Sequence, residues 1–133
     1  MMLEKITDKN ISDAYDLRIE KNNDGFLVRT EPVIRGIVKD AEAEEKKAVM
    51  ASKFHNTVAA MIIKLSASLC KKYGTKKVVL SGGVCQNKYL LSRSEEGLRE
   101  AGLEVYSGVS IPVNDSGIPL GQLAIASKRS ICV

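Results

Sequence analysis

Val78-Val79-Leu80 is a short, β-branched apolar run that stops at once on Ser81-Gly82-Gly83, with a helical pattern on either side of it. A run of that length, bounded by glycine, fits a strand buried on both faces. A strand set between two amphipathic helices needs crossover connections, so the chain is expected to fold as α/β with parallel neighbours. The helix before it is the plainest element in the sequence, because Met50, Phe54, Val58, Met61, Leu65 and Leu69 recur every three or four residues. The acidic, alanine-bearing residues 40–45 are expected to run into this helix. Its end is expected at Lys71-Lys72-Tyr73-Gly74, where lysines suit the negative pole and glycine the left-handed cap. The helix after the double glycine is predicted over about residues 87–99, with Tyr89, Leu90, Leu91 and Leu98 apolar, Gly97 weakening it slightly and Gly102 stopping it.

Upstream, residues 15–20 and 26–30 read as two strands joined through Asn22-Asn23-Asp24-Gly25, a hairpin turn by composition. Thr30 is predicted to cap a short helix that carries Glu31 and Pro32 in its first turn and reaches about residue 40. Downstream, residues 103–106 read as a strand. Residues 111–117 read as an ordered loop expected to open a last helix over about residues 118–129. The predicted order is ββαα, then βα, βα, with no internal repeat, linker or low-complexity tract. One domain over residues 1–133 is expected.

Composition narrows the function. With 133 residues, 44% hydrophobic and 27% charged, the chain has the makings of one hydrophobic core, which argues against a disordered or fibrous protein. Its longest apolar runs fall far short of the roughly 20 residues a membrane span needs. The charges in the first ten residues leave no apolar stretch for a signal peptide, so a cytoplasmic location is expected. Cys70, Cys85 and Cys132 are odd in number and unpaired in spacing, which suits reduced thiols rather than disulfides or a zinc ribbon. A net charge of +4, without aromatic residues interleaved among the basic ones, gives little reason to expect nucleic acid as a partner.

Five places could carry a function. At Gly82-Gly83 the absence of Cβ atoms lets main-chain amides approach a ligand, and the helix start beyond offers N–H groups to phosphate or ribose oxygens. The other reading is a tight strand-to-helix turn with Asn87 as its N-cap, since neither a P-loop lysine nor a third glycine is present. Asp115 is either a carboxylate for a divalent metal or a catalytic water at the mouth of the sheet, or a helix cap, a task that Asn114 could perform instead. His55, the only histidine, is either a ligand or base, or a packed residue hydrogen-bonded to its own helix. Cys85 follows the glycines, where amides could lower its pKa, but no base accompanies it. The lysines at 71, 72, 76 and 77 read as a solvated helix end or a docking patch for an acidic partner.

Three strings carry a family resemblance: SKFHNTVA at residues 52–59, VVLSGGVCQNKYLL at 78–91 and IPVNDSGIPLGQLAIA at 111–126. In order and spacing they resemble the C-terminal end of the hydrogenase maturation carbamoyltransferases, the HypF family, over nearly the whole chain. The most specific elements are the GGV with Gln86 and Asn87, and the NDxGxxLGQ string about thirty residues later. The tRNA threonylcarbamoyladenosine synthases, the TsaD family, have a comparable GGVxxN, but Leu120-Gly121-Gln122 favours HypF.

The resemblance implies a multidomain enzyme that makes a carbamoyl-adenylate from carbamoyl phosphate and ATP. The carbamoyl group then passes to the C-terminal cysteine of a partner, HypE, and ends as a cyanide ligand in [NiFe]-hydrogenase. It also implies that this chain is the C-terminal lobe of an actin-like, sugar-kinase-like ATPase (ribonuclease H-like) domain. Gly82, Gly83 and Asn87 thereby inherit nucleotide binding, and Asp115 a place on a divalent metal, zinc or iron. The other metal ligands in the family, two histidines one helical turn apart and an aspartate, belong to the preceding lobe. With no paired histidines here, the chain alone is expected neither to hold that metal tightly nor to transfer carbamoyl groups. The catalytic residues are not identified. Expected partners are ATP, the missing lobe and domains, a HypE-like protein and a second copy of the chain. Ser116, Pro119 and Cys85 depart from the family pattern. Two alternatives remain: a non-catalytic binding or assembly module of the same fold, and a piece of a tRNA-modifying synthase.

Overall fold

A computed structural model describes residues 2–23, 25–108 and 115–131. In chain order it contains α1 (Met2–Lys5), β1 (Arg18–Lys21), β2 (Phe26–Arg29), α2 (Glu31–Glu42), α3 (Lys47–Tyr73), β3 (Lys77–Leu80), a 3₁₀ turn (Gly83–Gln86), α4 (Lys88–Glu100), β4 (Glu104–Ser107), a second 3₁₀ turn (Asp115–Gly117) and α5 (Ile118–Ile131). The predicted α/β order is present, preceded by the short α1. Among the described residues no helix is long and apolar enough to cross a membrane.

The hairpin forms where turn chemistry placed it. The Asn22 N–H donates to the Gly25 carbonyl at 3.0 Å, the Gly25 N–H donates to Asn22 Oδ1 at 2.7 Å, and the strands pair from Arg18 with Arg29 to Lys21 with Phe26. Its first strand starts later than predicted because Tyr15 belongs to the core. The Tyr15 N–H donates to Thr57 Oγ1 at 2.8 Å, and its ring lies where a Cβ on Gly36 would stand 2.6 Å from Cδ1. Gly36 is thus required by close approach in the middle of α2.

Residues 40–45 do not run into the long helix. They finish α2, since the N–H groups of Ala43, Glu44 and Glu45 turn back to the carbonyls of Lys39, Ala41 and Asp40. Glu44 takes φ 53° and Lys46 is extended, so α3 starts afresh at Lys47. Thr30 holds the N-cap position of α2 but makes no side-chain cap bond. Its backbone is already helical there (φ −84°, ψ −15°), whereas a capping side chain reaches the next turn from an extended backbone.

Helix α3 ends as predicted, with Gly74 left-handed at φ 67°. Its buried face, however, is not the apolar stripe. Ala51, Ser52, His55, Asn56, Thr57 and Ala59 are buried, while Phe54 and Leu69 of the stripe are 39% and 40% exposed. Short and hydrogen-bonding residues let α4 and residues 8–15 lie close against α3, a gain the apolar pattern does not express.

β3 and β4 pair in parallel from Lys77 with Glu104 to Leu80 with Ser107, joined by α4, which packs on α3 through buried Tyr89, Leu90 and Leu98. β3 is not buried on both faces. Leu80 points inward, but Val79 is 72% exposed and Tyr106 50%, because the described helices cover one side of a two-stranded sheet.

Candidate functional site

β3 and β4 end in register, so Ser81 and Gly108 both leave the carboxyl edge of the sheet, where open α/β folds keep their ligand crevices. Gly82 sits at φ 102°, ψ 165°, a conformation closed to side chains. A Cβ added to Gly82 or Gly83 would meet nothing within 4 Å. The main chain is therefore bare and open at this turn. It is held from within: the Cys85 N–H donates to the Gly82 carbonyl at 3.0 Å and the Asn87 N–H to that of Val84 at 3.1 Å.

Asn87 caps α4, as the second reading of the turn has it, its Oδ1 accepting from the Leu90 N–H at 3.0 Å. The helix start offers fewer N–H groups than the sequence suggests. Glu4, from α1, accepts the Lys88 N–H on its Oε1 at 2.7 Å. A carboxylate from 84 positions upstream thus occupies part of the expected anion site, and the free surface shifts to the glycines.

The amide nitrogen of Asn87 donates to His55 Nε2 at 2.8 Å, and His55 Nδ1 lies 2.7 Å from the Ala51 carbonyl. A carbonyl demands a donor and an amide N–H an acceptor, which fixes the neutral Nδ1–H tautomer. Both ring nitrogens are committed and the ring is buried, so the structural reading of His55 holds, not the ligand one. Its ring meets Tyr89 edge-on at 5.6 Å and Phe54 at 6.0 Å. Tyr89 in turn donates to Asn56 Oδ1 at 2.8 Å, while Asn56 Nδ2 donates to the Ile11 and Asp13 carbonyls. Ser52 and Thr57 accept from the N–H groups of Asp8 and Tyr15. One helical string thus holds the N-terminal segment and the glycine turn together. Sequence reasoning missed Glu4, Ser52, Asn56 and Thr57. For the three residues on α3 the available signal was the run of short polar residues beside the apolar stripe, at spacings that share a helix face.

Burial pushes the Cys85 thiol up rather than down, and its Sγ donates to the Ser81 carbonyl at 3.4 Å, so no activated nucleophile stands here. The lysines at 71, 72, 76 and 77 are exposed around the end of α3, as a solvated helix end requires. Asp115 opens the second 3₁₀ turn; its side chain, residues 111–114 of the predicted loop and Cys132 lie outside the described residues. Among the described residues no three of His, Cys, Asp and Glu cluster as metal ligands do. With His55 committed as well, those residues do not by themselves fit a metal ion.

The sequence model for "Carbamoyltransferase, Kae1-like Domain, second subdomain" matches residues 1–122. The chain belongs to the HypF carbamoyltransferase family. Carbamoyltransferase HypF of Synechocystis sp. is 32% identical over 120 residues, spanning 89% of this chain and 15% of the relative. That of Rhizobium leguminosarum bv. viciae is 40% identical over 78 residues, spanning 59% of this chain and 10% of the relative. A crystal structure of full-length HypF in the phosphate- and nucleotide-bound form matches with a TM-score of 0.85 at 40% identity, over 95% of this chain and 16% of that one. HypF of T. kodakarensis, at 23% identity and a TM-score of 0.76, shares the fold. The α/β class and the actin-like ATPase type expected from the sequence stand with these HypF structures. The chain spans about a sixth of the length of the HypF proteins it matches.

Proposed function

We propose that this chain is the nucleotide-contacting C-terminal part, one unit over residues 1–133, of a carbamoyltransferase catalytic domain. With ATP and carbamoyl phosphate, the whole enzyme carbamoylates the C-terminal cysteine of a HypE-like partner, in the cytoplasm, during [NiFe]-hydrogenase maturation. The observation that carries the reading is the open main chain at Gly82-Gly83, where an added Cβ meets nothing within 4 Å at the carboxyl edge of a parallel sheet. Adenosine lies against this bare backbone, and Asn87 serves it from beneath by holding the turn to α4. The phosphate- and nucleotide-bound form of the matching full-length HypF structure is in keeping with nucleotide binding by the whole enzyme. Asp115 is this chain's contribution to the family's divalent metal, zinc or iron, whose remaining ligands come from the preceding lobe. The chain by itself is inactive in transfer because it lacks those ligands.

Saturation-transfer NMR of the chain with ATP tests this. Contact is expected at the adenosine protons, and Gly83→Val, whose side chain points into open space, weakens binding by about tenfold, ~1.4 kcal/mol. Absence of contact at millimolar ATP, or a Gly83→Val protein that binds as the parent does, overturns the reading.

The outer face of the sheet favours a second role. Val79 and Tyr106, exposed side by side on β3 and β4, present apolar surface suited to association with another lobe or a second copy. Sedimentation showing only monomer at high concentration would remove self-association.

A further inference from the structure

Four groups form one unbroken relay between two helices. The His55 Nδ1–H donates to the Ala51 carbonyl in α3 at 2.7 Å, Asn87 Nδ2 donates to His55 Nε2 at 2.8 Å, and Asn87 Oδ1 accepts from the Leu90 N–H of α4 at 3.0 Å. His55 is 5% exposed and Asn87 4%, so water does not replace a lost partner easily. An asparagine amide has two ends of similar shape and opposite hydrogen-bonding sense, and a half-turn about its last bond exchanges them. In the opposite sense Asn87 would present a donor to the Leu90 N–H and the cap would fail. The His55 acceptor selects the sense that caps. The Asn87 N–H also closes the 3₁₀ turn on the Val84 carbonyl at 3.1 Å, so the orientation of this residue reaches the glycines. Tyr89 and Phe54, edge-on at 5.6 and 6.0 Å, keep the imidazole from turning away.

We infer that His55 is a positioning residue: through Asn87 it sets the conformation of the double-glycine turn. Its effect on nucleotide affinity rests on the function proposed above, whereas its effect on the turn does not. A neutral imidazole suits this place because it gives a hydrogen bond backward to its own helix and receives one forward from the next element. A leucine of similar bulk fills the space and does neither. Glutamine keeps an acceptor at the end of a chain of comparable reach.

The test uses the whole chain. Since His55 is the only histidine, long-range nitrogen-15 spectra of the unmodified protein report its tautomer directly. The Nδ1–H form is expected, and an Nε2–H form overturns the proposal without any mutation. Hydrogen exchange then compares His55→Leu with His55→Gln. In the leucine variant the Asn87 and Leu90 amides exchange about tenfold faster or more, while the Leu98 amide deeper in α4 keeps its protection. Glutamine restores most of the protection, and the ATP dissociation constant follows the same pattern. Asn87 and Leu90 exchanging as in the parent, or all three amides accelerating together as in plain loss of packing, overturns the inference. If the parent binds no ATP, the nucleotide function falls, and the exchange pattern still decides whether His55 sets the turn.

Discussion

Between α3 and α4 the buried side chains of His55, Asn56, Asn87 and Tyr89 are matched one to another, whereas the outer face of the β3–β4 sheet leaves Val79 72% exposed. Ser94 Oγ is the one buried side-chain polar atom without a partner among the described residues. The seam is specified by hydrogen bonds that accept few substitutes and surrounds Leu98, which is fully buried. The sheet has two strands and a bare apolar side, an arrangement that parallel sheets rarely keep open to water. One region satisfies its polar groups within the chain and the other leaves an apolar face open, in a chain that covers 16% of the full-length HypF structure. The glycine turn lies at the junction: its base is fixed by the seam and its open side faces outward.

The largest loss is expected in the seam, from Leu98→Ala. It should cost about 2–5 kcal/mol, read as a lower urea midpoint, because the cavity forms where packing is tightest. Gly36→Ala should cost about 1–3 kcal/mol despite better helix propensity, since the new methyl meets a tyrosine ring tied at both ends. A neutral or stabilising result would show that Tyr15 can move away.

Two titrations sharpen the picture around Tyr15, whose hydroxyl donates to Asp40 Oδ2 at 3.1 Å beside the Lys53–Asp40 ion pair at 2.7 Å. Burial, then the bond and charge of Asp40, push the Tyr15 phenol up from 10.0 to about 12. A raised folded value means the stabilisation is complete below pH 10.0 and is lost as pH climbs toward about 12. Alkaline unfolding curves should show this loss, with one phenol ionising late in ultraviolet absorbance, and Tyr15→Phe should remove both signatures. On the acid side the Lys53 hydrogen bond leads the causes holding Asp40 below its usual range. Its contribution therefore persists above the ordinary aspartate pKa of about 3.9 and disappears as pH falls below it, an acid loss that Asp40→Asn should remove. The smallest effect is expected on the open face, where Val79→Thr should change stability by no more than about 0.5 kcal/mol and weaken any self-association seen in sedimentation. A loss as large as that of Leu98→Ala would mean this face is covered in solution.

Much of the site was legible because local rules wrote it. Asn87 as an N-cap, Gly74 as a helix end and the hairpin at Asn22 and Gly25 each follow from the chemistry of one or two residues. The role of His55 was not legible, since its partner lies 32 positions away and the stronger apolar stripe through Phe54 masks the run of short polar residues that turns inward. Glu4 was hidden for the same reason: nothing near it in sequence announces a helix start 84 residues on. The break at Glu44 was misread because acidic and alanine residues favour helix on both sides of it, and only the hydrogen bonds closing α2 reveal the stop.

Local residue chemistry specified every strand and helix except α1, the bare main chain at Gly82-Gly83 and, through three strings of residues, the family. These depend on local backbone preference and on spacing, which no distant contact needs to supply. The tertiary structure decided which face of α3 is buried, which ring nitrogen of His55 accepts, and that a carboxylate from the first helix takes the first amide of α4. Those outcomes arise when groups far apart in the chain are brought within hydrogen-bond distance, where burial makes an unmatched polar atom costly and leaves one arrangement favoured over the rest.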